Sequence, residues 1–109
     1  MNVIFPKHLE EISSICKAHQ VKHLDLFGSS VSQSANNPHD IDFAVSFDDS
    51  LIEGYTKNFF SLESSLQKLF NLPVDLIDYT TIKNPILKNS IDAFRVTLYD
   101  ISSNIKITF

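Results

Sequence analysis

Glycine is scarce in this chain. Only Gly28 and Gly54 occur among its 109 residues, where average usage of roughly 7% would supply about eight. That argues against a glycine-rich linker, a collagen-like repeat or a loop-rich β architecture, and it makes a glycine inside a motif informative. Cysteine occurs once, as Cys16. Neither an internal disulfide nor a cysteine-based zinc site can then form, and a lone thiol fits a reducing compartment. Arginine also occurs once, as Arg95, and nine basic residues stand against thirteen acidic ones for a formal charge of -4. Gripping a nucleic-acid backbone needs a clustered basic face, so direct nucleic-acid binding is not expected. No apolar run approaches the roughly 20 residues of a membrane span, and the first six residues lack the basic and long apolar regions of a signal peptide. A soluble, cytoplasmic protein with no membrane partner is the expectation.

What is present is material for one core: 43% of residues are hydrophobic, nine of them Phe. One domain over residues 1–100 is expected, with 101–109 as a tail. Pro6, Leu9, Ile12, Ile15 and Cys16 have helical spacing, with Glu10 and Glu11 near the positive end of the dipole, which predicts a helix over 6–19. A short strand follows over 21–27 and ends at Gly28-Ser29; a short helix over 29–35 opens from that turn, and Asn36-Asn37-Pro38 breaks it. Ile41, Phe43, Val45 and Phe47 alternate with Asp40, Asp42, Ala44 and Ser46. This strict period of two predicts a strand over 40–47 with one face in the core and two carboxylates on the other. A helix over 55–71 carries Phe59, Leu62, Leu66, Leu69 and Phe70. Strand 74–78, a shorter helix marked by Leu87, Ile91 and Phe94, and strand 96–99 complete the order, and residues 105–109 alternate like an edge strand.

The chemistry sits in Gly28-Ser29, ten intervening residues, and Asp40-Ile41-Asp42. Residues two apart on a strand point the same way, roughly 6.5 to 7 Å apart, so Asp40 and Asp42 can grip the same cations. Like charges repel, and a divalent cation relieves them; two-metal sites of this kind run phosphoryl and nucleotidyl transfer. Upstream, a strand that ends at Gly28 and opens into a helix presents backbone N–H groups suited to a phosphate chain. Asp75 lies opposite Val74 and Leu76 on its strand, and joins the pair as third ligand or proton acceptor if its strand neighbours the first. Taken singly, an Asp-x-Asp is usually solvated surface and a Gly-Ser is usually a turn. His39 points away from Asp40 by alternation, Cys16 reads as a small buried hydrophobe, and His8, His19 and His23 read as surface or helix-edge residues. Of Phe59-Phe60, one ring belongs to the core and the other is free for a partner. Nothing favours a ligand over solvent for Lys88 or Arg95.

Leu26-Phe27-Gly28-Ser29, the ten-residue gap, Asp40-Ile41-Asp42-Phe43-Ala44-Val45 and Val74-Asp75-Leu76-Ile77 resemble the signature of the minimal nucleotidyltransferases (MNT), small members of the DNA polymerase β superfamily. The likeness runs over about residues 5–100 and takes in Ile86-Leu87, Ile91 and Val96-Thr97-Leu98-Tyr99. It implies a single small α/β (α+β) domain, like a polymerase β palm, with a mixed sheet flanked by helices. It implies further that Asp40, Asp42 and Asp75 are catalytic and hold two Mg²⁺, and that Gly28, Ser29 and Ser30 place the triphosphate of ATP. An acceptor hydroxyl then attacks the α-phosphorus and pyrophosphate leaves. Proteins of this kind are often the antitoxin of HEPN–MNT toxin–antitoxin pairs, so the resemblance points to AMP transfer onto a tyrosine of a HEPN ribonuclease in a hetero-oligomer. Many members follow Gly-Ser with arginines; this chain reads Ser30-Val31-Ser32-Gln33, which leaves the phosphates to metals, backbone amides and hydroxyls. The other readings are an MNT fold that silences its HEPN partner by binding alone, and transfer to a small molecule.

Overall fold

The two periodicities resolve into helices and strands close to those expected. The computed structural model describes residues 7–28 and 40–102. Within them the order is α1 (Leu9–Ala18), β1 (Val21–Leu26), β2 (Ile41–Phe47), α2 (Tyr55–Phe70), β3 (Val74–Asp78), a 3-10 turn (Tyr79–Thr81), α3 (Pro85–Phe94) and β4 (Val96–Asp100). The 3-10 turn is not foreseen by either period. Its start is capped by the Asp78 side chain, which accepts from the Thr80 N–H, an arrangement in which a short carboxylate competes with the ladder. Pro6, the helix expected over 29–35, the Asn36-Asn37-Pro38 turn and the strand expected over 105–109 lie outside the described residues.

The strands form one mixed sheet in the order β3-β2-β1-β4. β1 runs antiparallel to β2 and β4, and β2 runs parallel to β3. A parallel pair needs a long crossover, and α2 supplies it. Leu24 and Leu26 of β1, Ile41, Phe43 and Val45 of β2, Val74 and Leu76 of β3 and Leu98 of β4 form one buried cluster with Ile12 and Cys16 of α1 and Leu62 and Leu66 of α2. Burying each of the large aliphatic side chains contributes about 1.5–3 kcal/mol. Cys16 is fully buried, and burial pushes its thiol up to about 12, which makes it an inert core residue as expected.

α2 is bounded by Gly54 and Asn71, both left-handed with φ of 72° and 54°, a conformation those two residue types take most readily. Its neighbours Phe59 and Phe60 divide as expected: Phe59 packs on the core and Phe60 is 58% exposed. α3 behaves differently. Of Leu87, Ile91 and Phe94, only Ile91 is buried, and it lies outside the main core cluster. Phe94 is 70% exposed. The spacing marks a helix correctly, but its apolar stripe is largely uncovered. No helix among the described residues is long and apolar enough to cross a membrane.

Candidate active site

With Ile41, Phe43 and Val45 in the core, alternation turns Asp42 to the opposite face of β2. The parallel register sets Asp42 beside Asp75 of β3. Paired residues on neighbouring strands point the same way, with backbones about 4.8 Å apart, so the fold places two carboxylates side by side. The cost is visible in Asp42, whose carboxyl is pushed up by partial burial first, then by the charges of Asp75 and Asp40.

Asp40 departs from expectation in one respect. It precedes β2 as an exposed bend and is not a strand residue. The ladder ends at Ile41, whose N–H donates to the Pro73 carbonyl at 3.0 Å, and β3 begins only at Val74. No β3 residue is left to pair with Asp40. It still lies near enough to Asp42 to raise its carboxyl.

The Gly28 turn meets Asp42 directly. Phe27 donates its N–H to the Asp42 carbonyl at 3.1 Å, so the end of β1 stays zipped to the start of β2. Gly28 has φ of 62°, and a Cβ on it would stand 2.7 Å from Asp42 Oδ2. A side chain at this position therefore meets both an unfavourable backbone conformation and an occupied space. Ser29, Ser30 and His39 lie outside the described residues. Among the described residues, no three His, Cys, Asp or Glu groups stand together as a ready-made metal cluster.

One part of this face escapes sequence reasoning. Asp25 is 2% exposed, and its carboxylate accepts from Thr97 Oγ1 at 2.7 Å and meets His23 Nε2 at 2.9 Å. Arg95 adds a guanidinium nitrogen at 3.6 Å. His23 is thus a half-buried strand residue that also faces Asp100 at 3.4 Å, not one at a surface or helix edge. Its imidazole is raised chiefly by the hydrogen bond to Asp25, with burial opposing. The available signal is Asp25 itself, a carboxylate between two core leucines on a central strand; its partners on β4 become visible only once the strand order is known. Beside this group is a pocket of about 380 Å³ lined by His23, Asp25, Ser46, Tyr79 and Arg95 among others.

Residues 10–104 match the family described as polymerase beta, nucleotidyltransferase. The chain belongs to that nucleotidyltransferase family. Its relatives include the protein adenylyltransferase MntA of Thermococcus cleftensis, 36% identical over 88 residues, 73% of this chain and 86% of the relative. A Methanocaldococcus jannaschii protein, named provisionally as a protein adenylyltransferase, is 34% identical over 94 residues, 79% of this chain and 93% of the relative. Among solved structures, a complex of tri-AMPylated Shewanella oneidensis HEPN toxin with its MNT antitoxin contains a chain that superposes with a TM-score of 0.62 at 21% identity, covering 90% of this chain and 74% of that one. The mixed sheet and its helices are therefore the nucleotidyltransferase fold, as the signature residues imply.

Proposed function

We propose that this nucleotidyltransferase moves AMP from ATP onto a tyrosine hydroxyl of a HEPN ribonuclease partner, and that it serves as the antitoxin of that pair. The observation that carries the reading is the register of Asp42 with Asp75, beside a Gly28 turn so close to Asp42 that a Cβ there would stand 2.7 Å from its Oδ2. Support comes also from two relatives named as protein adenylyltransferases and a fold neighbour bound to an AMPylated HEPN toxin.

In this reading Asp40, Asp42 and Asp75 hold two Mg²⁺, which supply charge stabilisation at the transferring phosphate. The donor set suits a hard cation: all three groups are carboxylates, and Asp42 already carries the repulsion of the other two. Gly28, with Ser29 and Ser30, takes the triphosphate. The tyrosine oxygen forms the new bond to the α-phosphorus, the bond to the β-phosphate oxygen breaks, and pyrophosphate departs. Asp75, exposed at the edge of the sheet, is the group placed to accept the hydroxyl proton. A separate protein supplies the acceptor, so a hetero-oligomer is the working unit.

The test is incubation of the chain with α-labelled ATP, Mg²⁺ and the HEPN partner. Wild type is expected to label a partner tyrosine, and an Asp40→Asn, Asp42→Asn double variant to bind the partner without labelling it. A complex that forms normally yet stays unlabelled sinks the proposal; protection of the toxin by the double variant shows neutralisation by binding alone.

A further inference from the structure

The chain's only arginine stands at the same end of the sheet as the carboxylates. In the β1–β4 ladder Leu26 pairs with Val96, and both face the core. One residue further along β1, Phe27 stands beside Asp42, which pairs with Asp75. The same step along the other strand reaches Arg95, whose backbone is already extended, with φ of -63° and ψ of 149°. A single row across the sheet thus reads Arg95, Phe27, Asp42, Asp75, and alternation sets Arg95 on the carboxylate face. The Gly28 turn lies one strand away from it.

The guanidinium is drawn to its neighbours without being locked to them. It lies 3.6 Å from Asp25 and 3.8 Å from Asp92, both beyond the roughly 2.7–3.2 Å of an N–H···O hydrogen bond. Its carbon stands 5.9 Å from the centre of the Tyr79 ring, and its side chain is 37% exposed. Arg95 faces Asp25 Oδ2, while Thr97 and His23 both meet Oδ1, so the carboxylate keeps a hydroxyl donor and an imidazole when the guanidinium leaves. Withdrawing Arg95 therefore leaves no unpaired buried charge, which is the usual obstacle to moving one member of such a pair. A triphosphate, meanwhile, is the ligand a planar guanidinium fork fits best, and the residues after Gly28-Ser29, Ser30-Val31-Ser32-Gln33, contain no arginine.

We infer that Arg95 is the phosphate-binding arginine of this site: it rests against Asp25 and Asp92 and leaves them to meet the nucleotide's β- and γ-phosphates at the Gly28 turn. The inference rests on the ATP reading above. Asp25 then holds the guanidinium only while no nucleotide is bound, and competes with the phosphates for it.

Calorimetric titration of Arg95→Gln, Arg95→Lys and Asp25→Asn with a non-hydrolysable ATP analogue and with AMP, each with Mg²⁺, tests it without requiring transfer. Arg95→Gln is expected to weaken the analogue by about tenfold or more and leave AMP unchanged, because only the outer phosphates lose a charge-assisted contact. Arg95→Lys should recover part of the loss, and Asp25→Asn should bind the analogue at least as tightly as wild type. Unchanged analogue binding in Arg95→Gln with a lowered melting temperature overturns the inference and makes Arg95 a tether between α3 and β4. Equal weakening by Asp25→Asn overturns it as well. Absence of analogue binding by wild type overturns the ATP reading itself.

Discussion

A methyl group on Gly28 would stand 2.7 Å from the Asp42 carboxylate oxygen, so the turn after β1 and the acid of β2 occupy adjoining space with none to spare. The atom in the way is the far end of a side chain, which can turn aside. Gly28→Ala is therefore expected to cost only about 1–2 kcal/mol in stability, the penalty for a left-handed non-glycine residue. Transfer, in contrast, should fall to background if the displaced oxygen belongs to the carboxylate set proposed above to hold the metal ions. Denaturant melts and partner labelling on the same sample check both halves.

Partial burial first, and then the charges of Asp75 and Asp40, work against ionisation of Asp42. Its folded pKa is raised, so the ionised carboxylate opposes folding, and stability should decline as pH climbs through and above the ordinary carboxylate range. Without divalent cation, Asp42→Asn is predicted to melt higher than wild type at neutral pH. Added Mg²⁺ should raise the melting temperature of wild type more than that of the variant. Thermal scans with and without Mg²⁺ decide it, and equal shifts in the two proteins would argue against a cation at Asp42.

His23 makes a contribution in a different window. Its folded pKa lies above the ordinary imidazole value of 6.5 because the Asp25 carboxylate holds the charged form. That stabilisation is fully present below about pH 6.5 and is lost as pH rises through the higher folded value. Replacing His23 with Gln should flatten stability between slightly acid and slightly alkaline pH, read from urea midpoints across that range.

Asn84 caps α3 by accepting from the Ile86 and Leu87 N–H groups at 2.9 and 3.4 Å. Asn84→Ala removes a cap worth about 1 kcal/mol. Because α3 contributes only Ile91 to buried structure and nothing to the main cluster, the loss should stay local. Amide exchange is expected to quicken across 85–94 while α1 and α2 keep their protection.

Alternation along Ile41–Phe47 is legible without a structure because one face of β2 is wholly apolar, and the helical spacing in α2 is equally plain. Asp40, Asp42 and Asp75 can be picked out as candidates from the same patterns. What those patterns do not contain is pairing. The neighbour of Asp42 is decided by strand order, and so is the burial of Asp25, whose partners are His23 on β1, Thr97 on β4 and Arg95 at the end of α3. The start of β2 is hidden for the same reason, since the ladder ends where Pro73 precedes β3, not where alternation ends. The exposed stripe of α3 shows the same limit: spacing marks a helix but does not say what covers it.

The parallel pairing of β2 with β3 also dictates when Asp42 and Asp75 can meet. All of α2 must cross over before the two strands align, so their encounter is a non-local contact, of the kind that forms only after its loop-closure entropy has been overcome. A chain released before β3 has emerged holds Asp40, Asp42 and Gly28 but not the third acid. Assembly of the carboxylate set is in this way a checkpoint on completed folding, imposed by connectivity and not by any added device.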